Sequence, residues 1–188
     1  MIIKEKIIEI SENFRNLADY CVGDIEKATE IMISSLRSGG KIMFCGNGGS
    51  AADSQHLAAE LTGRYLKNRE PLAALALTTD TSAITAIGND YSFDEIFARQ
   101  VNALGDINDT LYAISTSGKS VNVIRAIQAA NDKNLKVIGV TGNSSAEMQK
   151  LCDLTIKVPA RRPDRIQEMH IAIGQIICEQ IENEFFNK

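Results

Sequence analysis

Two side chains and two turns carry the chemistry available to this sequence. His56 and Glu60 stand four residues apart in an alanine-rich segment, so on a helix they share one face. An imidazole and a carboxylate so placed can bind a metal, move a proton, or form an ordinary solvated pair. The segment opens at Cys45-Gly46-Asn47-Gly48-Gly49-Ser50, directly after the apolar run Ile42-Met43-Phe44. A strand, a glycine-rich turn and a helix start in one stretch aim backbone N–H groups and the positive end of a helix at one point, which suits an anion.

The second turn is Ser115-Thr116-Ser117-Gly118-Lys119-Ser120. Its hydroxyls, backbone N–H groups and following helix start can surround a phosphate without an arginine. A plain polar turn with Ser120 as helix N-cap has the same composition. Two such turns at one sheet edge favour phosphate. Neither fits G-x-x-x-x-G-K-[ST] or G-x-G-x-x-G, so a Walker A loop and a dinucleotide site are not expected. Gly88-Asn89-Asp90 reads as a helix-terminating turn, with Asp90 alternatively bonding sugar hydroxyls. Asp164 reads as an N-cap and Gln167, three residues later, as its capping-box partner. That account suffices for Asp164 and only partly for Gln167. The chain has only two histidines, so a metal site must borrow oxygen ligands or His170, and such mixed donors suit zinc.

These residues need a scaffold, and the apolar pattern describes one. Helical spacing covers residues 4–19. Gly23-Asp24 breaks the chain before a second helix at about 25–37. Short apolar strands are expected at 42–45, 72–77, 111–114, 136–140 and 154–158. Helices are expected between them at about 50–62, 82–87, 93–104, 120–131 and 145–151, with a last one at about 164–185 entered through Pro163. Strands of four to six apolar residues alternating with helices imply an α/β fold with a five-stranded parallel sheet covered on both faces. Ligands of such sheets sit beyond the carboxyl ends of the strands. Three polar turns fall there: Gly46–Ser50, Ser115–Ser120 and Thr141–Ser145. The first and last helices extend past the sheet unit, and their apolar faces suggest packing on another subunit.

The chain is 188 residues long, which favours one domain, and 44% hydrophobic, which is enough for a full core. A net charge of −4 argues against nucleic acid as the principal partner. Arg161, Arg162 and Arg165 form the one tight basic cluster, read as a solvated loop. No apolar run approaches the roughly 20 residues of a membrane span. Charges interrupt the first residues, unlike a secretory leader, so a cytoplasmic location is expected. Cys21, Cys45, Cys152 and Cys178 are widely spaced and are expected to be unbridged and mostly buried.

Taken together, the stretches 45–50, 56–65 (HLAAELTGRY), 88–90, 115–118 and 164–170 (DRIQEMH) resemble the sugar isomerase (SIS) family along nearly the whole chain. The resemblance implies a single flavodoxin-like SIS domain over 1–188, in three α/β/α layers, assembled as a homotetramer with sites at subunit contacts. It implies aldose–ketose isomerisation of a seven-carbon sugar phosphate, sedoheptulose 7-phosphate, through an enediol, supplying lipopolysaccharide or capsule precursors. Asn47, Gly48, Gly49, Ser50, Asn89, Asp90, Ser115, Thr116, Ser117 and Ser120 would hold the sugar phosphate. Arg64 and Asp164 would support the site. Glu60 would be the acid–base group, and His56, Glu60 and Gln167 would bind zinc (Zn2+).

One position departs from the family pattern. Related isomerases usually carry a histidine eight residues after the matching glutamine, and this chain has Gln175 there. An amide oxygen can ligate zinc, but an amide does not shuttle protons near neutral pH. Either Gln175 is only a ligand or another group moves the second proton. The family also contains non-enzymatic tetramers that bind a replication initiator protein. Those tend to lose the glutamate at position 60 and to break the Gly-Gly-Ser turn, and both features are present here.

Overall fold

The computed structural model describes residues 2–143 and 146–186. Five strands form one sheet: β1 (Ile42–Gly46), β2 (Ala74–Ala76), β3 (Thr110–Ser115), β4 (Lys136–Gly142) and β5 (Leu154–Val158). Every pairing is parallel and the order is β2-β1-β3-β4-β5. Around it run α1 (Ile2–Tyr20), α2 (Val22–Arg37), α3 (Gly49–Thr62), α4 (Thr81–Asp90), α5 (Ala98–Leu104), α6 (Val121–Asp132), α7 (Ala146–Leu151) and α8 (Pro163–Phe186).

Strand alternation divides the core in two. Ile42 and Phe44 of β1, with Tyr112 and Ile114 of β3, face a cluster built from α1, α2, α3 and α8. Met43 and Cys45, with Leu111 and Ala113, face a second cluster built from α5, α6 and α7, against which Ile84 and Ile87 of α4 pack. Successive side chains point to opposite faces, so a fully apolar strand feeds two helix layers at once. The three-layer α/β/α architecture is therefore as expected.

Several boundaries moved for identifiable reasons. Gly23 and Asp24 lie inside α2, and the break falls at Cys21, whose carbonyl accepts from Asp24 N and Ile25 N. The apolar run 72–77 yields only three paired residues in β2, because this strand has a single neighbour and its ladder on β1 covers Ala74–Ala76. The expected helix at 93–104 divides into a 3-10 turn at Phe93–Glu95 and α5. Gln100, buried in α5, donates to Leu77 O at 2.9 Å and Ile96 O at 2.7 Å, a tertiary tie that periodicity cannot foretell. Asp164 is not a helix N-cap: α8 begins at Pro163, and Asp164 sits in its first turn with its carboxylate held by Arg162. Of the third polar turn, Ser144 and Ser145 lie outside the described residues, as do the first residue and last two residues of the expected 1–188 domain. The four cysteines are unbridged, and three are buried. No helix among the described residues is long and apolar enough to cross a membrane.

Candidate active site

The chain leaves β1 toward β2 on one side of the sheet, and leaves β3 toward β4 on the other. The carboxyl ends of β1 and β3 therefore flank a topological switch point, where the flanking loops part and leave a crevice. Both phosphate-type turns lie there, since Gly46 is paired with Ile114 at the ends of β1 and β3. A reciprocal amide pair joins them: Asn47 Nδ2 donates to Asn122 Oδ1 at 2.8 Å, and Asn122 Nδ2 donates to Asn47 Oδ1 at 2.9 Å.

Both helices that start at this crevice do so without a side-chain cap. Gly48 precedes α3 at φ +58°, a left-handed conformation that glycine adopts without strain, and offers no side chain to the first-turn N–H groups. Ser120 precedes α6 but makes no capping bond; its Oγ lies 3.0 Å from Ser115 Oγ instead. In α4, by contrast, Asp80 accepts from Ala83 N at 2.9 Å. The first turn of α3 is partly closed on its own backbone, Ser50 N donating to Asn47 O at 3.1 Å and Ala51 N to Gly48 O at 3.0 Å, but both helix starts still concentrate positive potential, which an anion satisfies. Ser115 Oγ accepts from Gly118 N at 3.1 Å and Ser117 Oγ from Lys119 N at 3.2 Å, which shapes the serine turn. Thr116 and Ser117 line a cleft of about 500 Å³ together with Asn143, Ala160, Arg161, Pro163 and Ile166.

The other half of the site is made where α3 and α8 run side by side. A Cβ on Gly49 would stand 2.7 Å from Gln167 Nε2, and one on Gly174 would stand 2.4 Å from Leu57 Cδ1. Glycine at 174 lets the helices approach so closely, and glycine at 49 leaves room for the end of the Gln167 side chain. Gln167 is thus level with the glycine turn, a contact that a capping role does not explain. Gly174, which precedes Gln175 on α8, packs on Leu57, the residue after His56. Glu60 is near enough to Cys178 for its charge to reinforce the burial that pushes that thiol up to about 12. His56 Nε2 lies 2.9 Å from Glu60 Oε1, and these side chains keep 49% and 22% of their exposure, so a substrate can reach both.

This donor set suits a divalent cation: one imidazole nitrogen, one carboxylate and amide oxygens from α8. Among the described residues no three His, Cys, Asp or Glu side chains cluster as metal ligands. Beside His56 and Glu60, the amide oxygens of Gln167 and Gln175 are the α8 candidates for completing such a ligand set. His170 is excluded, because it is buried and turned toward Thr141 of β4.

Residues 7–142 match the SIS domain family. A phosphoheptose isomerase of Rhodospirillum rubrum is 56% identical over 170 residues, which is 90% of each chain. The solved structure of a phosphoheptose isomerase from Neisseria gonorrhoeae superposes with a TM-score of 0.91 at 44% identity, covering 96% of this chain and 97% of that one. A second, from Francisella tularensis, gives a TM-score of 0.93 at 38% identity over 96% of each chain. The chain belongs to the phosphoheptose isomerase family.

Family membership leaves the placement of individual residues to the geometry. Asn47, Gly48, Gly49, Ser50, Ser115, Thr116, Ser117, Ser120 and Gln167 gather at the switch point, His56 and Glu60 pair on α3, and Gln175 follows Gly174 on α8. Asn89 and Asp90 lie apart, exposed on the last turn of α4, where Asn89 Nδ2 donates to Asp90 Oδ1 at 2.9 Å. Arg64 is exposed just beyond α3. Asp164 is at the mouth of α8, paired with Arg162.

Three residues at the site escaped the sequence reading. Asn122 is buried and locks Asn47, and Arg161 lines the cleft although its cluster reads as a solvated loop. Asp53 stands one turn before His56 on α3. Its Oδ2 is buried without a partner among the described residues, and burial raises its carboxyl to about 6 against the opposing pull of His56. The spacing Asp53-x-x-His56 is a helical i,i+3 pair, and it was the available signal.

Proposed function

We infer that this chain isomerises sedoheptulose 7-phosphate to the corresponding heptose aldose. One observation carries the reading. A solvent-reachable carboxylate and imidazole stand on the helix whose uncapped N-terminus opens at the switch point beside the serine turn. The reaction needs those two things at a fixed separation, a grip on a remote phosphate and a base at C1–C2. The phosphate end, bound by α3 and α6 N-termini and the hydroxyls of Ser115, Ser117 and Ser120, supplies binding energy that orients the reacting carbons. Glu60 takes the proton from C1, giving an enediolate, and returns it at C2, while the hydroxyl proton passes from O1 to O2 and leaves the aldehyde at C1. His56, hydrogen-bonded to Glu60, orients that carboxylate. Arg64, Asn89, Asp90 and Asp164 are read as groups that complete the site once subunits assemble.

His56, Glu60, Gln167 and Gln175 would hold a zinc ion, which would polarise the carbonyl and offset the developing oxyanion charge. With Gln175 unable to shuttle protons, the proton traffic of this chain falls to Glu60.

The assembly is read as a homotetramer of one SIS domain per chain. In support, α1 buries only Leu17, while Ile2, Ile3, Ile7 and Ile8 remain 46–77% exposed. An apolar groove of about 380 Å³ follows the same side, lined by Phe14, Leu17, Val22, Ile25 and Ile176 among others. An apolar surface of this kind is expected to be covered. A cytoplasmic biosynthetic role, feeding lipopolysaccharide or a capsule, completes the reading.

The test is product formation from sedoheptulose 7-phosphate by the purified chain, before and after chelation and after zinc is restored, with light scattering for the assembly. Aldose formed, lost with chelator and regained with zinc, by a particle of four chains, is the expected result. A stable tetramer that never forms the aldose would point instead to the non-enzymatic SIS proteins.

A further inference from the structure

One turn beyond Glu60 lies a buried ion pair that the isomerisation chemistry does not use. Glu182, near the end of α8, accepts from three consecutive backbone N–H groups, those of Tyr65 at 3.0 Å, Leu66 at 2.8 Å and Lys67 at 2.9 Å. It also accepts from Arg69 Nε at 2.9 Å, and the two side chains retain only 2% and 1% of their exposure. Burial pushes the Glu182 carboxyl upward, and these four donors outweigh it, so it lies below the ordinary glutamate range.

Arg69 turns the rest of its guanidinium to the end of α3. Nη2 donates to Glu60 O at 2.7 Å, and Nη1 to Leu61 O at 2.9 Å, Gly63 O at 3.4 Å and Glu70 O at 2.9 Å. The ring of Phe186 covers the guanidinium at 5.5 Å. The last carbonyls of a helix have no intrahelical partner and carry its negative pole, so a cation that bonds them fixes the helix end. The planar fork reaches several oxygens at once, which a lysine ammonium cannot reproduce.

A buried ion pair is a poor source of stability, because desolvation offsets most of its attraction. Its distinctive product here is geometric. It ties Glu60's own carbonyl, the loop that bears Arg64, and α8 into one arrangement. It is also the third of three ties between α3 and α8, after Gly49 on Gln167 and Leu57 on Gly174. His56 and Glu60 lie between the first tie and the third.

We propose that Arg69 and Glu182 are positioning residues for the isomerisation, setting the height and rotation of Glu60 against α8 without touching substrate. The proposal rests on Glu60 being the base. A misplacement of about 1 Å at a reacting group costs on the order of a hundredfold in rate, so such a device acts on kcat.

The experiment uses the intact chain with sedoheptulose 7-phosphate, reading kcat, KM and thermal unfolding. Arg69→Lys keeps a charge opposite Glu182 but loses the fork. A double variant, Arg69→Met with Glu182→Leu, removes both charges together and leaves no unpaired buried charge, while the backbone N–H groups of Tyr65, Leu66 and Lys67 lose their shared acceptor. Both should fold, with kcat lowered about ten- to hundredfold and KM near the unmodified value, because the phosphate turns are untouched. A folded variant of either kind with unchanged kcat overturns the proposal. Failure of both to fold also overturns it, since the pair would then serve stability alone. Glu60→Gln is measured beside them. If it keeps its kcat, the base assignment fails and the positioning role goes with it. If it is inactive while the Arg69 variants are fully active, the base stands and the positioning role alone is lost.

Discussion

At its N-terminus α3 presents backbone, and toward its C-terminus it presents side chains. The first end is Gly48 in a left-handed turn, uncapped N–H groups, and the Asn47–Asn122 amide pair that spans the switch point. The second is His56 and Glu60, supported from α8 and held at the helix end by Arg69. A phosphate is a diffuse anion that many N–H groups can share, so main chain suffices to hold it. Removing a proton from carbon needs one carboxylate in one place, so that end depends on side chains locked by a neighbouring helix.

The largest expected effect breaks the second end alone. Glu60→Gln should lower kcat about a thousandfold while inorganic phosphate still binds with unchanged affinity in calorimetry. Loss of both functions together would mean that the two ends are not separable.

Acid should weaken the same end through α8. Burial holds the His170 imidazole down to about 4, with the Thr141 backbone countering in part. An unfolded histidine titrates near 6.5, so as pH falls the unfolded chain takes the proton first. Stability is therefore full above about pH 6.5 and declines toward pH 4, by up to about 3 kcal/mol. Urea melts between pH 7 and 4.5 should show the decline, and His170→Leu should flatten it. Because His170 sits on α8, isomerase activity should fail in acid before phosphate binding does.

Gly49→Ala joins the two ends in one variant. Its new Cβ meets the far end of the Gln167 side chain at 2.7 to 2.8 Å, and that side chain can swing away. The melting temperature should barely move, while kcat/KM falls about tenfold as Gln167 is displaced. Equal losses in stability and activity would show that Gln167 is only packing. Smallest is Ser120→Ala, which removes the 3.0 Å contact with Ser115. It should raise KM a few-fold and cost about 1 kcal/mol in denaturant melts, with kcat retained.

Much of this arrangement was legible in residue order. The strand Leu154–Val158 fell at its expected limits, because five hydrophobic-rich residues between turn signals admit few readings. Both turns at the carboxyl edge were readable, since glycine and hydroxyl residues after a strand announce a helix start. Gln167 was only half legible: three residues after an acidic one it resembles a capping partner, yet its carboxamide packs on Gly49. Arg69 and Glu182 were not legible. They are more than a hundred residues apart, and a charged residue in a polar loop or on a terminal helix reads as a solvated one.

Residue order by itself determined the layered parallel sheet, the turns at its carboxyl edge, and the shared face of His56 and Glu60, because period and local turn chemistry act within a few residues. Only the tertiary structure decided that β1 and β3 are neighbours, that α8 lies along α3, and that a buried arginine seals the end of α3. Those outcomes depend on which apolar faces meet and which buried charges find partners, and both are settled by the packing of distant segments.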